Sequence, residues 1–93
     1  MQIDIKLREV GSSFGIILSK TLTKLLDITA GDYVSVKFGR DGDFVNRKVI
    51  KIGSSQGIII TRGEALDLGV RDGHMLKITL DNKKLVITNN VDE

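Results

Sequence analysis

Lys51-Ile52-Gly53-Ser54-Ser55-Gln56-Gly57-Ile58-Ile59-Ile60 decides the fold of this chain, because residues 9–18 are a close copy of it. Sliding residues 6–37 onto residues 48–79, a gapless shift of 42, places Lys6 on Lys48, Gly11 on Gly53, Ser12 and Ser13 on Ser54 and Ser55, and Gly15 on Gly57. The correspondence continues through Ile16 and Ile17 on Ile58 and Ile59, Ser19 on Thr61, Lys20 on Arg62, Leu26 on Leu68, Ile28 on Val70 and Gly31 on Gly73. Self-similarity at a fixed period marks a chain assembled from one repeated supersecondary unit. A unit this short cannot bury its own apolar face, so the two copies are expected to interlock around one core.

Within each copy the local pattern predicts a strand, a Gly-Ser turn, a short strand, a short helix and a third strand. Val34, Val36 and Phe38 alternate with Ser35 and Lys37, and Leu76, Ile78 and Leu80 alternate with Lys77 and Thr79, the period of a half-buried strand. Ser19 precedes Leu22, Leu25 and Leu26 at helical spacing, and Thr61 with Glu64 forms a capping box ahead of Ala65 and Leu68. Ala30-Gly31-Asp32 and Asp72-Gly73-His74 read as turns, Asp41-Gly42 and Asp81-Asn82 as hairpin tips, and Phe44–Val45 and Leu85–Thr88 as short final strands. The stretch from Phe44 to Ile52 carries no Pro, Gly or Ser tract, so no linker separates the copies. The expectation is a single domain over residues 1–93, with repeats 1–45 and 46–88 and a short tail 89–93.

Composition narrows the function classes. Fourteen Lys and Arg against twelve Asp and Glu give a net charge of +2, too balanced for a protein that coats nucleic acid unselectively, so the placement of charge must carry any electrostatic argument. With no cysteine and one histidine, the chain offers neither a disulfide nor a metal cluster, and no cofactor is expected. The absence of a secretory pattern and of a long apolar run leads to the expectation of a cytoplasmic protein without membrane contact. No Cys/His or Ser/His/Asp arrangement has supporting context, so the chain is not read as an enzyme. The lone His74 aligns with Asp32 beside a turn glycine and reads as a surface residue.

The stretch from Lys51 to Ile60, followed by a helix and then Leu68-Gly69-Val70-Arg71-Asp72-Gly73, resembles the motif of the AbrB/MazE (SpoVT/AbrB-like) swapped-hairpin DNA-binding domains. Val10-Gly11-Ser12-Ser13-Phe14-Gly15-Ile16-Ile17-Leu18 and Leu26-Asp27-Ile28-Thr29-Ala30-Gly31-Asp32-Tyr33-Val34 repeat it. The resemblance implies a mainly β fold with two short helices, in which two fused ββαβ repeats form one swapped-hairpin, cradle-loop barrel; a double-psi barrel is the alternative built from the same local elements. Members of the family dimerise, so a chain with two copies resembles a fused pseudo-dimer, monomeric or paired again as a homodimer. The basic pair ahead of the motif's glycine falls on Arg8 and Glu9 and on Ile50 and Lys51. The arginine that many members carry in the second strand falls on Ile17 and Ile59, and the proline after it on Ser19 and Thr61.

Candidate contacts follow from the first strands and the turns. Lys6, Arg8, Arg47, Lys48 and Lys51 are placed to neutralise phosphates, and Ser12, Ser13, Ser54 and Ser55 to donate hydrogen bonds. The competing reading of these charges is a solvated strand face. Gly11, Gly15, Gly53 and Gly57 match no nucleotide-binding loop and are expected to serve positive φ angles or close strand approach. Lys20 and Arg62 open the two helices, where a phosphate would offset their unfavourable dipole position. The leading expectation is a transcriptional regulator of the AbrB/MazE type, a fused pseudo-dimer that binds double-stranded DNA in a sequence-specific or semi-specific way, mostly through the phosphate backbone. The alternatives are an antitoxin that also engages a toxin, and an adaptor barrel that binds protein without DNA.

Overall fold

Val10 and Ser13 face each other across Gly11-Ser12, and Ile52 and Ser55 across Gly53-Ser54, so both Gly-Ser segments are two-residue hairpin turns. Gly11 and Gly53 hold φ of 60° and 61°, the left-handed first position of such a turn, which is why glycine stands there. The computed structural model describes residues 1–89, and in chain order the elements are β1 (Gln2–Lys6), β2 (Arg8–Val10), β3 (Ser13–Leu18), α1 (Lys20–Leu26), β4 (Tyr33–Phe38), β5 (Phe44–Lys48), β6 (Ile50–Ile52), β7 (Ser55–Ile60), α2 (Arg62–Leu68), β8 (Met75–Asp81) and β9 (Lys84–Asn89). The chain is thus mainly β with two helices. Asn89 closes β9 rather than opening a tail, and the remainder of the expected tail lies outside the described residues. The expected repeat boundary at residue 45 falls inside β5.

Both helices start where side-chain oxygens take up free amide protons. The Ser19 hydroxyl accepts from Leu22 N at 3.1 Å. Thr61 and Glu64 form the reciprocal box, with Glu64 N donating to Thr61 Oγ1 at 3.2 Å and Thr61 N donating to Glu64 Oε1 at 2.9 Å. Each helix ends on a left-handed residue, Asp27 at φ 55° and its repeat mate Gly69 at φ 73°.

Two sheets form, one of five strands in the order β1-β8-β9-β4-β5 and one of four in the order β2-β3-β7-β6. The strands therefore do not close into one hydrogen-bonded barrel, which corrects that expectation. The chain changes sheets at Leu7 and again at its repeat mate Val49, where a turn takes the backbone bonds that a continuing strand would need. Leu7 N donates to His74 O and Gly73 N to Leu7 O, both at 2.8 Å; Val49 N donates to Asp32 O at 2.8 Å and Gly31 N to Val49 O at 2.7 Å. Strands that bend from one sheet into another in this way make the corners of packed sheets.

The pairing follows the repeat with a pseudo-two-fold relation. Gln2 faces Thr79 where Phe44 faces Lys37, and Arg8 faces Gly15 where Ile50 faces Gly57. The axis crosses the four-stranded sheet at the Ile16–Ile58 pair, since Phe14 faces Ile60 and Leu18 faces Gln56 on either side of it. Only β9 has no counterpart: it lies between β8, to which it is antiparallel, and β4, to which it is parallel.

One core holds both copies. Leu7, Ile16, Ile58, Val34, Val36, Val49, Leu76, Ile78, Leu85 and Ile87 belong to a single buried cluster, so neither half has a core of its own. No described helix is long and apolar enough to cross a membrane.

Candidate nucleic-acid interface

Alternation that buries Val34, Val36, Leu76, Ile78, Leu85 and Ile87 turns the other phase of the five-stranded sheet outward. The strand registers place Lys6, Lys77, Lys84, Lys37 and Lys48 on that outer face, with Asp4 and Asp81 as its only acids among the strand residues. Five positive charges against two give this face an excess of three on a chain whose formal net charge is +2. Two exposed rings stand among them. Tyr33 is 57 % exposed and Phe44 is 43 % exposed. The Lys48 ammonium lies 5.9 Å from the Tyr33 centroid, and those of Lys37 and Lys84 lie 5.1 and 5.5 Å from the Phe44 centroid. Such contacts hold the ammonium groups over the rings while leaving them in water. Ser35, Asn46, Thr79 and Thr88 supply neutral hydrogen-bonding groups on the same face. At one rim, the loop between β4 and β5 adds Arg40, Asp41 and Asp43.

Of the residues expected to touch DNA, only Lys6 and Lys48 come together as a pseudo-two-fold pair on one face, at the opposite edge strands of the larger sheet. Arg8 faces Gly15 and so lies on the outer side of the four-stranded sheet, whereas Lys51 faces Gln56 and lies on its other side. These two charges do not converge, because each is the repeat mate of a different residue type, Ile50 and Glu9. Ile17 and Ile59, at the positions where the resembling family carries an arginine, share the outer side of the four-stranded sheet with Val10, Ile50 and Ile52. That side is apolar and half-buried apart from Arg8 and the hairpin serines Ser13 and Ser55.

Arg47 is drawn inward. It faces Val34 across β4–β5, on the core side, where its repeat mate is Ile5. Its guanidinium forms a two-pronged ion pair with Glu64, with the Nη1 to Oε1 bond at 3.0 Å, and Nη1 also donates to Ile59 O at 3.2 Å. The Phe38 ring lies under it at 5.4 Å. With its charge paired to Glu64 and three hydrogen bonds made within the protein, Arg47 ties α2 to the edge strand rather than presenting a free charge.

Ser12 and Ser54 stand exposed at the two hairpin tips, at opposite ends of the four-stranded sheet, with Ser55 exposed and Ser13 half-buried beside them. The tips differ. Arg62 stacks on Phe14 at 4.9 Å and its Nε donates to Ser12 O at 2.7 Å, pinning the first tip to the start of α2. Lys20 and Gln56 replace that pair in the other half. Gly15 and Gly57 serve close strand approach: a Cβ at Gly57 would meet Ile16 O at 2.2 Å, and one at Gly15 would meet Ile58 O at 3.1 Å.

Lys37, Lys77, Lys84, Tyr33 and Phe44 were not among the expected contacts. Their outward phase was readable from the period-two pattern, but their gathering depends on β9 lying between β8 and β4, which no local signal encodes. Among the described residues, no group of three His, Cys, Asp or Glu side chains is arranged to hold a metal ion. Comparison of the chain with protein-family models, curated proteins and solved structures gives no match.

Proposed function

We propose that this protein binds DNA as a small regulator resembling the AbrB/MazE type, a fused pseudo-dimer with exchanged hairpins that meets phosphates through the outer face of its five-stranded sheet. The observation that carries the reading is the excess of three positive charges on that one face, with Lys6 and Lys48 related by the pseudo-two-fold axis. The exchanged arrangement is supported by the first strand of the chain pairing with β8 of the second repeat and by β3 and β7 pairing across the axis. Contacts are to the backbone of the nucleic acid, which gives salt-sensitive binding with little sequence discrimination.

The test is fluorescence anisotropy of a labelled DNA from upstream of the protein's own gene, beside a scrambled DNA, at several salt concentrations. Lys6→Ala with Lys48→Ala is expected to weaken binding of both and to lower the salt slope by about 1.8, from two lost phosphate contacts. Unchanged affinity in that double variant would remove the face from the mechanism. The apolar outer side of the four-stranded sheet favours a second reading, in which the two-sheet body engages a protein through Ile17, Ile52 and Ile59. Absence of DNA binding at low salt would leave that reading in place of the first, with an antitoxin's toxin as one such partner.

A further inference from the structure

We infer that the lysine-and-aromatic face takes unpaired nucleic acid, with bases stacked on Tyr33 and Phe44, in preference to duplex. This rests on the proposal that the face binds nucleic acid and specifies the form it binds. The shape of the face favours a single strand. Five strands side by side span roughly 19 Å. The major groove of a duplex is about 12 Å wide and admits a helix or a two-stranded ribbon, so a platform of this width reaches only the phosphates of a duplex. An extended single strand can lie along the sheet with its bases turned down onto it.

The chemistry of the face favours it as well. Single strands are held by a positive surface that tracks the phosphates together with exposed rings on which bases stack, and both are present here. Tyr33 and Phe44 lie on neighbouring strands, with Tyr33 facing Lys48 and Phe44 facing Lys37. Four residues of ladder separate them, roughly 13 Å, so they take non-adjacent bases of one strand. Each ring carries lysine ammonium over its face, within 5.9 Å, so a base that stacks there takes the place of the ammonium, which its flexible stem swings to a neighbouring phosphate. By contrast, the exposed Leu25 and Leu66 stand on different helices with no ring or shared sheet face around them.

The chain has one tyrosine and no tryptophan, so its intrinsic fluorescence above the phenylalanine range comes from Tyr33 alone. A labelled oligo(dT) and a duplex of equal length are titrated into the intact protein, following anisotropy of the label and quenching of the tyrosine. The expected result is tighter binding of oligo(dT), with Tyr33 quenched in step with the anisotropy and a salt slope of at most about 3.5 for five lysines on a single strand. Tyr33→Thr and Phe44→Thr are each expected to weaken oligo(dT) binding by about 5- to 150-fold, and Tyr33→Phe to restore it. Circular dichroism confirms that the variants remain folded. Binding of the duplex equal to or tighter than that of oligo(dT), or binding without quenching and without effect of Tyr33→Thr, overturns the inference while leaving nucleic-acid binding intact. Failure of both probes to bind at low salt overturns both.

Discussion

Replacing Arg47 and Glu64 together tests whether the second repeat uses an ion pair where the first has two apolar side chains. Their repeat mates, Ile5 and Leu22, line one cavity beside β1, while Arg47 and Glu64 meet through two hydrogen bonds with side chains only 24 % and 20 % exposed. Removing one partner strands a largely buried charge, which costs about 3–5 kcal/mol when burial is complete. The residual exposure here reduces that to about 2 kcal/mol for Arg47→Ile. Glu64→Leu loses the same pairing and also the bond to Thr61 N, adding about 1 kcal/mol for the capping box. The double variant places at this site the Ile and Leu side chains of the other half. Its loss should be about 1 kcal/mol, the cap alone, rather than the sum of about 5 kcal/mol. The assay is urea unfolding followed by circular dichroism for wild type, both single variants and the double, analysed as a cycle. A coupling energy below about 0.5 kcal/mol would refute the reasoning and return Arg47 to the set of free surface charges.

Gly57→Ala should destabilise by about 3 kcal/mol, since the added carbon meets the Ile16 carbonyl, while Gly15→Ala, with its nearest backbone atom at 3.1 Å, should cost about 1 kcal/mol; thermal unfolding separates them. Gln56→Leu removes a buried carbonyl oxygen that has no partner at a site whose repeat mate is Phe14, and should raise stability by about 1 kcal/mol in urea unfolding. Asp27→Gly puts at the left-handed end of α1 the glycine that α2 already has at Gly69, with an expected gain of roughly 0.5–1 kcal/mol by the same measurement.

The repeat made most of the local structure readable. Ser19 and Thr61 start helices, the Gly-Ser pairs turn hairpins, and the alternation around Val34–Phe38 and Leu76–Leu80 marks strands, because each depends on neighbours in sequence. What the same reading missed was set by pairing between distant strands. Arg47 looked like a phosphate contact as long as its inward phase and its partner Glu64, 17 residues away, were unknown. Arg8 and Lys51 looked like a pair because both precede a glycine of the motif, yet they stand one position out of step in the repeat and point to opposite sides of their sheet. The bends at Leu7 and Val49 left no mark in composition, since an isolated apolar residue between strands reads as one continuous strand.

The strand at the centre of the larger sheet, β9, is the last of the described strands in chain order. As the chain leaves the ribosome from its N-terminus, β4 can form a hairpin with β5, but its other edge stays open until residues 84–87 have emerged some 50 positions later. The two halves of the sheet are joined only through that strand, so lasting order is expected only once residues 84–89 have emerged. A nascent chain stalled before Lys84 should remain protease-sensitive along both β4 and β8.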